Sequence, residues 1–357
     1  MTFNELDTPA LLVDVDVLEG NVERVVGACR RHGVNWRPHI KAHKSVDIAR
    51  KLIAHGAIGI TCAKLGEAEV MAAAGIGGIV IANQIVGPIK IGRLVQLLAT
   101  ADPIVCVDDA GNVEALAAAV GAAGRRLGVL IEVDTGMHRA GVEAARVPDL
   151  ARKIAAHPEL RFAGLLTWEA HTVTIADPAA KAAAVKAAVS QLTASADACR
   201  AIGLDPEIVS CGGTGTFPHS IEQPGITEVQ VGGAIFCDKL YRDVYHVDLP
   251  FALSLLTTVT SRPTPTRIIV DAGKKAMSGD VALPEPIGLP PVASIRLSAE
   301  HTTIELAAPS ATPRVGDQLA FVVGYSDTTI HLHEEIVAVR NGAVIDRWPV
   351  SARGRIK

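Results

Sequence analysis

Short runs of apolar residues alternate with longer alanine-rich segments along the chain up to about residue 245. Unbroken apolar runs are typical of strands covered on both faces, and apolar positions spaced three to four residues apart are typical of helices. Several helical segments end in Gly, which often terminates a helix. The predicted strands are 35–41, 58–63, 78–83, 103–108, 127–134, 162–168, 207–212 and 228–233, and the predicted helices include 46–56, 66–75, 89–100, 111–124, 147–157 and 178–203.

Eight strands separated by helices predict a (β/α)8 TIM barrel, in which the strand–helix units close into a ring. An open doubly wound sheet is the alternative architecture. It is disfavoured because no Gly-x-Gly-x-x-Gly motif follows the first strand. We therefore expect an α/β protein whose barrel covers residues 18–245.

The pattern changes after about residue 250, where the helical periodicity disappears and Thr, Pro and Val become frequent. The stretch RNGAV (340–344) places an Asn-Gly pair between apolar flanks, which is typical of a β-hairpin turn. The opening stretch ALLVDVDV (10–17) alternates, so it could pair with these late strands rather than with the barrel. We predict an all-β domain formed by residues 1–17 and 246–357.

Composition narrows the possible partners. The 357 residues are 49% apolar and carry a net charge of −4, which gives no reason to expect nucleic acid or an anionic membrane as a partner. The N-terminus does not resemble a signal peptide, and we find no apolar stretch of transmembrane length. Six scattered cysteines without a Cys-x-x-Cys pair are typical of reduced thiols, so we expect a cytoplasmic protein.

The stretch RPHIKAHKS (37–45) concentrates positive charge at the end of the first predicted strand. Functional side chains of such barrels lie at the carboxyl ends of the strands. Two later strand ends also carry polar side chains, and there Trp168 could either stack on a ligand or close the barrel. The candidates at these ends are His39, Lys41, His43, Lys44, Asp134, His138, Arg139, Trp168, Glu169 and His171.

Glycine-rich loops follow the seventh and eighth strands, where such barrels often bind phosphate. Glycines let successive N–H groups approach an anion. A phosphate site opposite a lysine suggests pyridoxal phosphate, whose aldehyde forms a Schiff base with a lysine. Neighbouring cations would lower the pKa of that amine and screen the phosphate charge. The loops contain Gly212, Gly213, Thr214 and Gly215 after strand seven, and Gly232 and Gly233 after strand eight.

The blocks RPHIKAHKS, EVDTGMHRAGV, SCGGTGT and WPVSARGR resemble the D-threonine aldolase and D-serine dehydratase family of pyridoxal phosphate enzymes, in order and over nearly the whole chain. The resemblance implies an alanine-racemase-like fold and a homodimer. It implies that Lys41, rather than Lys44, binds the cofactor, that Arg139 contacts the cofactor near its ring, and that His39 is adjacent to it. The phosphate cradle that it implies is formed by the backbone of Gly213, Thr214, Gly215, Gly233 and Ala234.

The resemblance also implies a divalent metal, Mn²⁺ or Zn²⁺, bound by the His and by the Asp or the Cys of a Pro-x-His-Cys-Asp-like block. This sequence departs from that pattern, because VVGYSDTTIHLHEE (322–335) has Tyr325 at the histidine position and Ser326 at the cysteine position, and a phenol is a poor ligand for either ion. Asp327 remains. If HLH is part of a strand, His331 and His333 face the same side and could replace the missing ligand.

The leading hypothesis for function is a lyase that cleaves β-hydroxy D-amino acids to glycine and an aldehyde. The alternatives are dehydration of D-serine or 3-hydroxyaspartate, an amino-acid racemase that uses Lys41 and Tyr325 on opposite faces, and a non-catalytic carrier of the cofactor. Both lyase reactions need a polar group near the β-oxygen of the substrate. His171, Asp327 and the two histidines of HLH are the candidates.

Overall fold

The computed structural model describes residue 2 and residues 5–357, which form two compact units. The barrel unit comprises Glu23–Lys41, Ile48–Gly232 and Gly354–Lys357. The β unit comprises the described residues of Met1–Val22 together with Ala42–Asp47 and Gly233–Arg353.

The barrel unit confirms the predicted (β/α)8 architecture. Its parallel strands follow one another around the sheet in chain order. Ile58 N–H donates to the Trp36 carbonyl and Thr61 N–H to the Pro38 carbonyl, both at 2.9 Å, so the second strand also pairs with the first. The strands, numbered along the whole chain, are β2 (Asn35–Trp36), β3 (Ile60–Cys62), β4 (Ile79–Gln84), β5 (Ile104–Val107), β6 (Leu127–Asp134), β8 (Leu160–Leu166), β9 (Ile208–Cys211) and β10 (Glu228–Val229), with the short β7 (Val142–Glu143) paired to β6.

Helices follow the strands as the periodicity predicts. Asp109 and Asp177 begin two of them by accepting the N–H groups of Asn112 and Ala180 at 2.9 and 2.7 Å, the usual role of an N-cap carboxylate. The helices are α1 (Val15–His32), α2 (Val46–Ala54), α3 (Leu65–Ala73), α4 (Pro88–Leu97), α5 (Ala110–Ala122), α6 (Val147–Ala155), α7 (Pro178–Ala201), α8 (Phe217–Ser220), α9 (Lys239–Asp243) and α10 (Ser326–Thr329).

The first strand is shorter than the sequence predicts. The regular strand β2 ends at Trp36. Arg37 and His39 still donate their N–H groups to the Val229 and Gln230 carbonyls at 3.0 and 3.2 Å, and the chain then enters a 3-10 turn, Ile40–Ala42. Pro38 explains the difference, because proline has no N–H to donate to a neighbouring strand. The prediction of an unbroken strand over 35–41 is therefore wrong.

A buried ion pair joins the first and last barrel strands. The Arg37 guanidinium donates to both Glu228 carboxylate oxygens at 2.9–3.1 Å, and both side chains are almost fully buried. A bidentate contact of this kind fixes geometry as well as charge. It therefore holds β10 in register beside the chain segment that leads to Lys41.

The β unit is dominated by a mostly antiparallel sheet ordered β14-β15-β12-β11-β1-β17-β18. The opening segment belongs to this sheet, as predicted, because β1 pairs with β11 and β17. The predicted hairpin turn is also confirmed, with positive φ angles of 51° at Asn341 and 77° at Gly342. The strands are β1 (Ala10–Asp14), β11 (Leu253–Ser261), β12 (Arg267–Val270), β13 (Glu285–Pro286), β14 (Val292–Leu297), β15 (Thr302–Leu306), β16 (Gln318–Val322), β17 (Glu335–Arg340) and β18 (Ala343–Pro349).

No helix within the described part of the chain is both long and apolar enough to cross a membrane.

Candidate active site

Lys41 lies on the 3-10 turn that follows β2, at the carboxyl end of the first barrel strand. Its backbone N–H donates to Nδ1 of His39 at 3.3 Å, so the imidazole stabilises the turn. Both residues are half-buried. Gly232 is essential to this arrangement, because a Cβ there would lie 2.3 Å from the His39 carbonyl oxygen. The loop after β10 therefore packs directly on the segment that carries Lys41.

The basic stretch 37–45 carries less free charge than its composition suggests. The charge of Arg37 is neutralised by Glu228. His43, in the β unit, is fully buried, and this burial lowers its pKa to about 3, so the imidazole is neutral. The prediction that the whole cluster supplies positive charge is therefore wrong for these two residues.

Arg139 follows β6 and lies over a buried carboxylate. Its Nη2 atom is 3.7 Å from Oε1 of Glu132, and the arginine side chain remains 56% exposed. Gln84 Nε2 donates to Glu132 at 2.6 Å and to Asp108 at 3.2 Å. Burial raises the pKa of Glu132. These contacts hold one side of the guanidinium and leave the rest exposed, as a ligand-binding arginine requires.

Glu169 is a site residue that the sequence alone did not identify as important. It is fully buried, and its carboxylate accepts hydrogen bonds from Thr216 Oγ1 at 2.7 Å and Ser220 Oγ at 2.6 Å. It also accepts the Gly212 N–H at 3.3 Å. Glu169 therefore fixes the glycine-rich loop after β9 from both ends. Its only sequence signal is its position after a barrel strand.

Trp168 and His171 pack against glycines. A Cβ at Gly213 would lie 2.2 Å from the Trp168 ring, so the ring lies directly against the loop backbone. A Cβ at Gly136 would lie 3.0 Å from Nε2 of His171. His171 itself is exposed on a 3-10 turn, Ala170–Thr172. These residues thus converge around the loops after β6, β8 and β9, where the sequence predicted polar side chains.

The glycine-rich loop after β9 fits a phosphate. Thr214 and Gly215 are buried, yet their N–H groups have no acceptor within the part of the chain that the structure describes. Buried N–H groups without an acceptor are rare, and successive ones form an anion-binding cradle. Trp168 fills the space that a side chain at position 213 would need. The chemistry and shape of this loop therefore match the phosphate of pyridoxal phosphate.

In the β unit, Gly233 and Ala234 begin a buried 3-10 turn, Gly233–Ile235. Their N–H groups also have no acceptor among the residues described. A Cβ at Gly233 would lie 2.3 Å from the Tyr241 hydroxyl oxygen, so only glycine allows this approach. The turn therefore meets the same requirements for an anion as the loop after β9.

The predicted metal ligands are arranged differently from the sequence prediction. HLH is not a strand, because Ile330–Leu332 is a 3-10 turn that continues from α10. His331 is exposed, and His333 Nε2 is 2.7 Å from the Ala276 carbonyl oxygen, which requires a proton on that nitrogen. The described residues contain no cluster of three or more His, Cys, Asp or Glu that could hold an ion. The prediction that HLH is a strand presenting two imidazoles on one face is therefore wrong, whereas metal binding by Asp327, His331 or His333 stays a prediction.

Tyr325 is half-buried and donates its hydroxyl to Asp327 Oδ2 at 2.9 Å. Burial and the Asp327 carboxylate raise the pKa of Tyr325 above its usual value, so the phenol keeps its proton. Tyr325 and Asp327, at the positions where the resemblance implies metal ligands, thus form a hydrogen-bonded pair.

A (β/α)8 barrel with a lysine after its first strand and a glycine-rich loop that fits a phosphate after its seventh is typical of the alanine-racemase class of proteins. The model of the alanine racemase N-terminal domain matches residues 13–239, and that of a serine dehydratase domain matches residues 252–339. The chain belongs to this family, within the branch that contains D-threonine aldolase-like lyases.

Three known proteins place the chain in that branch. It is 37% identical to 3-hydroxy-D-aspartate aldolase of Paracoccus denitrificans over 99% of this chain and 94% of that protein. The D-threonine aldolase structure from Filomicrobium marinum superposes with a TM-score of 0.96 at 35% identity, covering 100% and 98% of the two chains. D-threo-3-hydroxyaspartate dehydratase from Delftia sp. HT23 superposes with a TM-score of 0.89 at 28% identity, covering 98% of each. Pyridoxal phosphate is the expected cofactor for aldolases and dehydratases of this family.

Proposed function

We propose that this protein is a pyridoxal-phosphate-dependent lyase that cleaves β-hydroxy D-amino acids between Cα and Cβ, yielding glycine and an aldehyde. The observation that carries the proposal is the phosphate-fitting loop after β9, combined with Lys41 after β2 in the same barrel unit. Similarity over nearly the full length to two aldolases supports the reaction type.

The bound cofactor would accept the electron pair left on Cα when the bond to Cβ breaks. Lys41 would hold its aldehyde, and Arg139 would lie beside its ring. The N–H groups of Thr214 and Gly215 would hold its phosphate, and Trp168 would close one side of that loop. These are the roles that the positions of the five residues support.

A second polar group is needed to remove the proton from the β-hydroxyl of the substrate. We propose two candidates. His171 is exposed, and its ring lies against Gly136 in the loop that leads to Arg139. Tyr325 is oriented by Asp327 and could relay a proton to that carboxylate. Separate His171→Asn and Tyr325→Phe variants would show which side chain the reaction needs.

Product analysis distinguishes the candidate reactions. With D-threonine, we expect equimolar glycine and acetaldehyde, and no product from L-threonine. Pyruvate from D-serine, without glycine, would indicate the dehydratase reaction, which the likeness to the Delftia enzyme makes the second candidate. Exchange of the α proton in D₂O with inversion at Cα and no bond cleavage would indicate a racemase.

We propose that the chain forms a homodimer through the β unit. Val281, Leu283 and Ile287 expose 56, 47 and 49% of their surface within seven residues of one another. Clusters of exposed apolar side chains mark association surfaces. We expect light scattering during gel filtration to give twice the chain mass, and Leu283→Glu to lower it. A monomeric wild-type protein would contradict this proposal.

We also propose a reducing, cytoplasmic location. All six cysteines are buried free thiols, which supports a compartment where disulfides do not form. A periplasmic or secreted pool found by cell fractionation would overturn this assignment.

A further inference from the structure

Tyr325 is held rigidly on several sides within the β unit. The Tyr241 ring packs edge-on against its ring, with the centroids 6.0 Å apart. The next residue, Ser326, donates both its N–H and its hydroxyl to Asp238 Oδ2 at 2.8 Å. Asp238 in turn begins α9 by accepting the Tyr241 N–H at 2.9 Å. The Tyr325 hydroxyl therefore has a fixed position beside Asp327.

That position is where a metal ion bound by a histidine would lie. From Cβ to its terminal ring atom, an imidazole is about 2 Å shorter than a tyrosine side chain is to its oxygen, close to the length of one metal–nitrogen bond. A cation bound to an imidazole at position 325 would thus lie close to where the phenol oxygen of Tyr325 now lies. Asp327 Oδ2 lies 2.9 Å from that oxygen, so it need move by only about 1 Å to reach bonding distance.

The groups present do not suit a cation. The Tyr325 hydroxyl lies 2.9 Å from Asp327 Oδ2 and donates a hydrogen bond to it, so this carboxylate oxygen already has a partner on the side where a metal would lie. A neutral phenol is a poor ligand for Mn²⁺ or Zn²⁺. The carboxylate of Asp238 already accepts three hydrogen bonds, from the Tyr241 N–H and from the N–H and hydroxyl of Ser326.

We propose that the hydroxyl group of Tyr325 stands in the place of a divalent cation, so that the native chain binds no metal at Asp327 and the identity of residue 325 decides whether this site holds one. The hydroxyl supplies a hydrogen-bond donor at the position where a metal would supply positive charge. The statement that the hydroxyl replaces the positive charge of a metal rests on the proposed lyase function. The statement that the native chain binds no metal at Asp327 does not.

The test measures metal directly. Wild-type protein is dialysed against EDTA, incubated with Mn²⁺ or Zn²⁺, passed through a desalting column and analysed by mass spectrometry of the metals. We expect no stoichiometric metal in the wild type or in Tyr325→Phe, and about one ion per chain in Tyr325→His, in keeping with an imidazole and a carboxylate as ligands. Tyr325→His combined with Asp327→Asn should lose the ion again.

The proposal would be overturned if the wild type bound stoichiometric metal and Asp327→Asn lost it. This outcome does not depend on whether a Tyr325 variant folds. A Tyr325→His variant that folds but binds no metal would overturn the claim that the identity of residue 325 determines whether this site binds a metal. Circular dichroism checks folding. Turnover that is indifferent to EDTA in the wild type and dependent on Mn²⁺ in Tyr325→His would extend the result to the reaction. Absence of any lyase turnover would contradict only the proposed function, because the metal content is measured independently.

Discussion

We expect Lys41→Ala to abolish the visible absorption of the protein-bound cofactor and to reduce turnover below detection. The amine of Lys41 is the group we propose to hold the aldehyde of pyridoxal phosphate, and methyl cannot replace it. Loss of proton transfer alone costs on the order of 10²–10⁴-fold in rate, and loss of the covalent link adds to it. The measurement is an absorption spectrum of purified protein after incubation with pyridoxal phosphate, combined with the D-threonine assay.

Lys44→Ala is the matched control, because it removes the same charge three residues away. Lys44 has a positive φ of 52°, and its carbonyl accepts the Ala352 N–H at 2.8 Å, a backbone contact that alanine preserves. This variant should keep the absorption. Borohydride reduction should leave a pyridoxyl mass on the peptide that contains Lys41 in wild type and in Lys44→Ala. Modification of Lys44 instead would show that the wrong lysine was chosen.

Most of the barrel could be predicted because its strands are continuous apolar runs, which the pattern of hydropathy identifies directly. The prediction failed where a single residue overrides that pattern. Pro38 interrupts pairing in the first strand, and HLH alternates like a strand although it continues a helical turn from α10. In both places local backbone hydrogen bonding determines the structure, and the alternation of apolar and polar residues along the sequence does not reveal that hydrogen bonding.

The candidate site was predicted unevenly for a different reason. Lys41, Arg139 and the glycine loops were found because strand ends and glycine pairs are local signals. The role of Glu169 was not found, because an acidic residue after a strand resembles a solvated loop residue. Its burial depends on Thr216 and Ser220, which lie 47 and 51 residues later in the chain. Only the folded barrel brings these acceptor and donor groups together.

Glu169→Ala should weaken cofactor binding more than any other substitution outside the groups that we propose to touch the cofactor. It removes the acceptor that the Thr216 and Ser220 hydroxyls share with the Gly212 N–H. The hydroxyls retain the Gly213 and Thr216 carbonyls at 3.4 and 3.2 Å, whereas the Gly212 N–H is left unsatisfied at about 1–3 kcal/mol. The loop that presents the N–H groups of Thr214 and Gly215 then loses its anchor at both ends. We expect the dissociation constant for pyridoxal phosphate to rise about 10- to 100-fold, which corresponds to about 1.4–2.8 kcal/mol.

Glu169→Gln separates positioning from simple loss of stability. The amide retains one oxygen that can accept from the Thr216 and Ser220 hydroxyls, but its NH₂ group faces the Gly212 N–H, so we expect an intermediate affinity. Fluorescence titration of the apoprotein measures the affinity, and ³¹P NMR of the bound phosphate reports the geometry of the loop. A general loss of stability would lower the melting temperature of the apoprotein without moving the phosphate resonance of the molecules that remain folded. An unchanged resonance and unchanged affinity in folded Glu169→Ala would refute the positioning role, since the N–H groups would then keep their arrangement without the carboxylate.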